Sequence, residues 1–425
     1  MNFKELLKRY QEGSATEEER QIVEKELDKY RSIEDYLSEN LSDRFFEKDG
    51  EIPDEEEANE KSVEDEDETN SIQKVVNRRL AKVVLTSVLI VVLLYVGIFH
   101  GVSAVVDSMY YDPASTTNVE GEEYPALDIE FDLRAYTSLN MPGYVTSFAS
   151  IDSKGFGEYE VHYPLRNLFT RDSQRHFVNL TRGRVTYVVD GIFDWENRSG
   201  LWDGFDEIRY PIPEYVDDAA HEGREHEIQR KNEKTLRYLN ELNPLSYLSM
   251  HIVFEEDLTM HEFYQLSREH RSLDFKWVGV RTTEPGSRWG ENQPMHLIGF
   301  NPNFNDEPSS NRRPDPEEFP FFNLIDMTEL PIRFEEEFSE AYETHFRSRL
   351  TYLVDREEFI EIFDYNKYKL DFYNEALEFI DEHGVKTYGV LVYGKAEDFN
   401  EAIDDLPYHT IYIDDVLPAK PNIYY

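Results

Sequence analysis

The sequence predicts a multi-domain protein: a small all-α cytoplasmic domain, a single transmembrane helix, and a mixed α/β (α+β) extracytoplasmic region. Three observations carry that prediction. Residues 83–106 contain no Asp, Glu, Lys or Arg. Residues 1–46 repeat apolar side chains at helical spacing, and the chain beyond residue 124 mixes strand and helix rhythms.

The first element is helical. Phe3, Leu6, Leu7 and Tyr10 recur at i, i+3, i+4 and i+7, one face of a helix that Gly13 ends. Thr16-Glu17-Glu18-Glu19 is a capping box opening a second helix, which carries Ile22, Val23, Leu27 and Tyr30. A third begins near Ser32 and aligns Ile33, Tyr36, Leu37 and Leu41. Three helices of about ten residues enclose little core, and short helices are marginal alone. Their apolar stripes therefore call for a partner.

Residues 47–70 are crowded with acids and hold few apolar side chains, the composition of a disordered tether. Residues 71–82 form a basic juxtamembrane segment with Lys74, Arg78, Arg79 and Lys82. The 24 residues of 83–106 then reach roughly 36 Å as a helix, against a hydrocarbon thickness of about 30 Å. His100 is the one ionisable group in the run and reads as a neutral histidine near the outer interface. No Lys or Arg follows until Arg134, so the four basic residues set the topology: N-terminus in the cytoplasm, C-terminal region outside. Val102-Ser103-Ala104 resembles a signal-peptidase site, but the run is too long and starts too far into the chain for a cleaved leader.

Beyond a linker at 107–123, residues 124–235 read as a strand-rich domain. Asp128–Leu133, Glu158–Tyr163 and Arg184–Val189 alternate, and Gly155-Phe156-Gly157 and Asp190-Gly191 supply turns. Residues 217–236 are charged and helical in pattern. Residues 236–425 read as an α/β sensor-like domain. Strands are expected at Tyr247–Phe254, Phe275–Val280, Met295–Phe300, Thr387–Tyr393 and Thr410–Asp414. Helices are expected after a Thr259 cap, at 333–353, at 366–382 before Gly384, and at Ala396–Leu406, with a loop over 302–320.

Composition limits the chemistry. The 425 residues carry 44 Lys plus Arg against 88 Asp plus Glu, a formal charge of −44 that disfavours direct nucleic-acid binding. The absence of cysteine removes thiolate catalysis, disulfides and thiolate zinc sites. His221 and His226 stand one residue too far apart for a zinc helix. Asp194–Gly200 departs from a calcium loop at Arg198 and reads as a tight turn over Trp195 and Trp202. No nucleophile elbow or phosphate loop occurs, so no catalytic, cofactor or metal residue is assigned and no enzyme is expected.

Three stretches, taken in order, resemble a known family. They are Phe3-x-x-Leu6-Leu7-x-x-Tyr10-Gln11-Glu12-Gly13 with Ala15-Thr16-Glu17-Glu18-Glu19 and Leu27; Asn77-Arg78-Arg79 before the span; and Lys386-Thr387-Tyr388-Gly389-Val390-Leu391-Val392-Tyr393-Gly394 with Ile411–Val416. The chain resembles the transmembrane anti-sigma factors of Firmicutes, which carry paired sigma factor regulator N- and C-terminal domains. With no cysteine it resembles a zinc-free type. The resemblance implies an extracytoplasmic-function sigma factor held at the cell membrane and released under envelope stress. Phe3, Leu6, Leu7, Tyr10, Ile22, Val23, Leu27, Tyr30, Ile33, Tyr36 and Leu37 would form the sigma-binding surface. Membrane lipid is a further partner, and there is room for a second small membrane protein. Two other readings stand beside it: an envelope scaffold or signalling protein without a sigma partner, and a membrane-anchored ectoenzyme.

Overall fold

The computed structural model describes residues 63–119, 124–189, 218–283, 297–307, 313–329, 335–363 and 368–421, with Thr16 and Val23 apart from these. Compact packing divides the chain into residues 1–88 and 89–425.

Helix α1 runs Val63–Asp107 and contains the whole uncharged run. It begins inside the stretch expected to be a disordered tether. Glu64, Asp65, Glu66, Asp67 and Glu68 occupy its first turns, where the positive end of the helix dipole favours carboxylates. Residues 77–107 are long and apolar enough to cross a membrane, and none of that stretch's most apolar window is buried in the protein. A core helix of a soluble domain would be covered; this one exposes Leu85 at 71% and Tyr95 at 68%.

Past the helix, β1 (Thr116–Thr117) pairs with β2 (Ala126–Leu127). Asp128–Leu133, expected as a strand, instead opens helix α2 (Asp128–Asn140). Every residue from Ile129 to Asn140 is buried, so α2 shows no polar stripe from which a helical period could be read. Asp128 accepts from the hydroxyls of Ser115 (2.8 Å) and Thr117 (2.7 Å) and leads the first turn.

An antiparallel sheet follows: β3 (Tyr144–Val145), β4 (Ser150–Gly155), β5 (Glu158–Asn167), β6 (Ser173–Thr181) and β7 (Val185–Val189). Strands β3 and β4 share the β5 edge, and β6 and β7 complete the order. The expected alternations at Glu158–Tyr163 and Arg184–Val189 lie in β5 and β7. Strands β5 and β6 form a ribbon paired from Glu158↔Thr181 to Arg166↔Ser173. Its far turn places Phe169 against Tyr247 and Tyr393, with ring centroids 5.4 and 5.0 Å apart.

The charged connector is helix α3 (Asp218–Glu241). A second sheet then forms from β8 (Tyr247–Thr259), β9 (Asp274–Val280), β10 (Ile298–Phe300), β11 (Lys386–Lys395) and β12 (Tyr408–Leu417), in the order β10-β9-β11-β8-β12. Helix α4 (Met260–Glu269) joins β8 to β9. Between β10 and β11 lie α5 (Glu335–Asp355), α6 (Glu357–Phe363) and α7 (Lys369–His383). Helix α8 (Ala396–Ala402) then links β11 to β12. Both β8 and β9 are antiparallel to β11, hence parallel to each other; β11 and β12 are related in the same way through β8. Two interleaved strand–helix–strand units with this order make a ferredoxin-like sheet.

The expected Thr259 cap is present: its hydroxyl accepts from Glu262 N at 3.2 Å, and the Glu262 carboxylate accepts from Thr259 N at 2.8 Å. Gly384 ends α7 with φ 76°. Asn232 of α3 seals the β12 edge, donating to His409 O at 2.9 Å and accepting from Ile411 N at 3.1 Å.

One sheet face carries Leu248, Met250, Ile252, Val390 and Val392 into the main core. That core also holds Phe131, Tyr163, Phe263 and Phe346. The opposite face packs Tyr247, Val253, Leu391 and Tyr393 against Leu168 and Phe169. The position 235/236, expected as a boundary, lies inside α3, and one core holds residues from both sides of it.

Candidate functional site

The surface expected to hold sigma lies outside the described residues for Phe3, Leu6, Leu7, Tyr10, Ile22, Leu27, Tyr30, Ile33, Tyr36 and Leu37. Val23 alone is described, helical and fully buried. Of the topology-setting residues, Lys74, Arg78, Arg79 and Lys82 all lie on α1, the last three with exposed side chains. The turn at Asp194–Gly200 is outside the described residues. His221 and His226 fall on α3. Among the described residues, no three His, Asp or Glu side chains converge as a metal site would require.

The described features with functional bearing begin at the outer end of α1. Phe99, Ser103 and Asp107 recur every four residues, so they share one helix face. That face receives the β4–β5 turn, Gly155-Phe156-Gly157. Phe156 meets Phe99 edge-on at 5.0 Å. The Ser103 hydroxyl accepts from Phe156 N at 2.8 Å and donates to Asp107 at 3.0 Å. The other Asp107 oxygen accepts from Gly157 N at 2.6 Å. All three turn residues have positive φ, at 85°, 56° and 75°, a run that Gly on both sides of Phe156 makes accessible. A Cβ at Gly155 would stand 3.1 Å from Ser103 Oγ and 3.3 Å from Phe99, so glycine also permits the close approach. Burial, with Asp112 and Asp107 nearby, holds the Tyr159 phenol above its usual range.

A second feature is buried charge. Asp132 of α2, fully buried, accepts from Arg356 Nε (2.7 Å) and Nη2 (3.0 Å), Tyr352 (2.9 Å) and Tyr111 (3.0 Å). Burial pushes its carboxyl up while Arg356 and the tyrosines oppose. Nearby, Arg349 donates to Glu307 at 2.5 Å and to Phe322 O at 2.9 Å. Burial raises Glu307, and burial with the neighbouring Arg349 lowers Arg134 to about 10. Lys276 pairs with Asp306 at 2.6 Å and Asp274 at 2.9 Å. These pairs tie α2, α5 and the β9 region together.

Between them is a cavity of about 20 Å³, lined among others by Thr137, Ser138, Lys276, Trp277 and Asn301. The Thr137 and Ser138 hydroxyls are buried there without a hydrogen-bond partner among the described residues. The space suits one water, not an organic substrate. A larger open groove of about 840 Å³ flanks the end of α1, between Asp107–Asp112 and Asp355–Phe359.

Sequence reasoning missed the α1 contact. Its signal was available: Ser103 and Asp107 put polar atoms at four-residue spacing on the end of an apolar run, opposite a Gly-Phe-Gly turn. The buried network was not legible, because its acids are a few among 88.

No curated protein and no solved structure matches the chain. Residues 239–405 match the family described as sigma factor regulator C-terminal. The match runs from the end of α3 through the ferredoxin-like sheet to the turn before β12, and includes Lys386–Gly394 of the third resembling stretch. Residues 239–405 are thus similar to the C-terminal module of the sigma factor regulators.

Proposed function

We propose that the protein is a membrane-anchored anti-sigma factor. Its N-terminal helices sequester an extracytoplasmic-function sigma factor at the cytoplasmic face, and its folded C-terminal region responds to the state of the envelope. The carrying observation is the regulator-family match at 239–405, attached in one chain to a solvent-exposed apolar helix of spanning length. The orientation reading is supported by Arg78, Arg79 and Lys82 before the apolar run and by Asp107 and Asp112 after it.

In this reading, Leu6, Leu7, Tyr10, Leu27 and Tyr36 pack against sigma and deny it to RNA polymerase. The acids around them complement a basic partner and compete with DNA. Sigma is held without metal or cofactor, and a second small membrane protein can join the assembly. The test is a pull-down with the 1–80 fragment. A sigma factor is retained by the native fragment and lost from a Leu7→Asp, Leu27→Asp double variant. Equal retention by both, or none by either, defeats the proposal.

A further inference from the structure

The β4–β5 turn sits lower on α1 than a soluble domain tethered above a bilayer would. Counted from Val83, a hydrocarbon core of about 30 Å takes about 20 residues of helix, to the neighbourhood of Val102. Ser103 lies about 6 Å and Phe99 about 12 Å below Asp107 along the helix, at 1.5 Å per residue. Phe156 touches both levels, through its ring to Phe99 and its N–H to Ser103. We propose that the paired tips of the first sheet are seated in the outer phospholipid leaflet, with Phe156 at the acyl boundary and Arg182 and Arg184 at the lipid phosphates.

Three observations carry this. Three of the first tip's backbone polar groups are already satisfied, which lowers the cost of entering a water-poor layer. Ser103 and Asp107 take the N–H groups of Phe156 and Gly157, and Gly157 O accepts from Arg182 N at 2.7 Å. That last bond sets the β6–β7 tip beside the first. It carries exposed Arg182 and Arg184, cations matched to phosphate oxygens. Tyr110, an aromatic of the kind a bilayer interface favours, packs within 3.7 Å of a Cβ built on Gly183 and is 41% exposed, beside the apolar Met109 at 70%. Across the groove, exposed Asp355, Glu357 and Glu358 face the other way chemically, which confines lipid contact to the tip side.

The inference rests on the anchoring reading above, and its test separates the two. The chain has no cysteine, so single cysteines accept an environment-sensitive fluorophore cleanly. Full-length Phe156→Cys, Lys154→Cys and Ser173→Cys chains are labelled and reconstituted in phosphatidylcholine–phosphatidylglycerol vesicles containing spin-labelled lipid. Ser173 marks the opposite end of the ribbon. Lys154 reads the same tip without disturbing the Phe156 ring. The expected result is at least twofold stronger quenching at 154 and 156 than at 173, reduced by an added Arg182→Glu, Arg184→Glu pair. Equal quenching at all three sites in chains that float with the vesicles overturns this inference alone. Chains that fail to float overturn the anchoring with it.

Discussion

His251 and His345 are fully buried, and burial holds both neutral in the fold: His251 falls to about 3, and His345 well below its usual value with Arg349 adding to the shift. An unfolded chain takes up these protons near pH 6.5, whereas the fold resists them. Stability is therefore complete above that pH and declines as pH falls toward 3, by up to about 1.4 kcal/mol per pH unit for each histidine. Asp132 and Glu307 act in the opposite sense. Burial raises both, so they favour the fold as pH drops through their folded values and soften the decline. His251→Phe keeps a ring against Tyr412 but removes one titration. Melting temperatures from pH 7 to 4.5 should then fall less steeply than in the parent chain; an unchanged slope would show that His251 is not a source. None of this was legible from sequence, since a histidine in Met250-His251-Ile252 looks the same whether its strand face is covered or wet.

Strand β11 shows what local pattern does reveal. Its run Tyr388–Gly394 is buried on both faces, and a continuous apolar run bounded by polar residues signals such a strand. The two flanking helices and their caps were equally readable, because Thr259, Glu262 and Gly384 act within one turn. Helix α2 was not, because six alternating residues imitate a strand when a helix is buried all round. Gly389 adds a requirement that only pairing reveals. At the register shift opposite Val253, a Cβ there would stand 2.5 Å from Ile252 O and 3.1 Å from Val253 Cα, backbone that has nowhere to go. Gly389→Ala should cost about 1–3 kcal/mol in denaturant unfolding. A loss below about 0.5 kcal/mol would mean that the bulge relaxes freely.

For the molecule as a whole, a long exposed apolar helix ahead of a large folded region was legible from charge and hydropathy alone. The single core joining residues on both sides of 235 was not, because contacts between Phe131 and Phe322 (6.2 Å) leave no trace in either stretch separately. The proposed topology has a direct consequence in cells. Protease added outside intact cells should degrade epitopes beyond residue 124 while sparing an N-terminal tag, and carbonate washing should leave the chain in the membrane. Loss of the tag alone would invert the orientation. The β5–β6 ribbon then acquires a mechanical meaning. One end is pinned to α1 through Gly157, and the other lies under Phe169 on the second sheet. Over roughly 30 Å, a tilt of about 5° at the far end displaces the pinned end by about 3 Å. If the ribbon moves as one body, a slight re-seating of Phe169 against Tyr247 and Tyr393 becomes a displacement at Gly157 comparable to half a helical turn's rise.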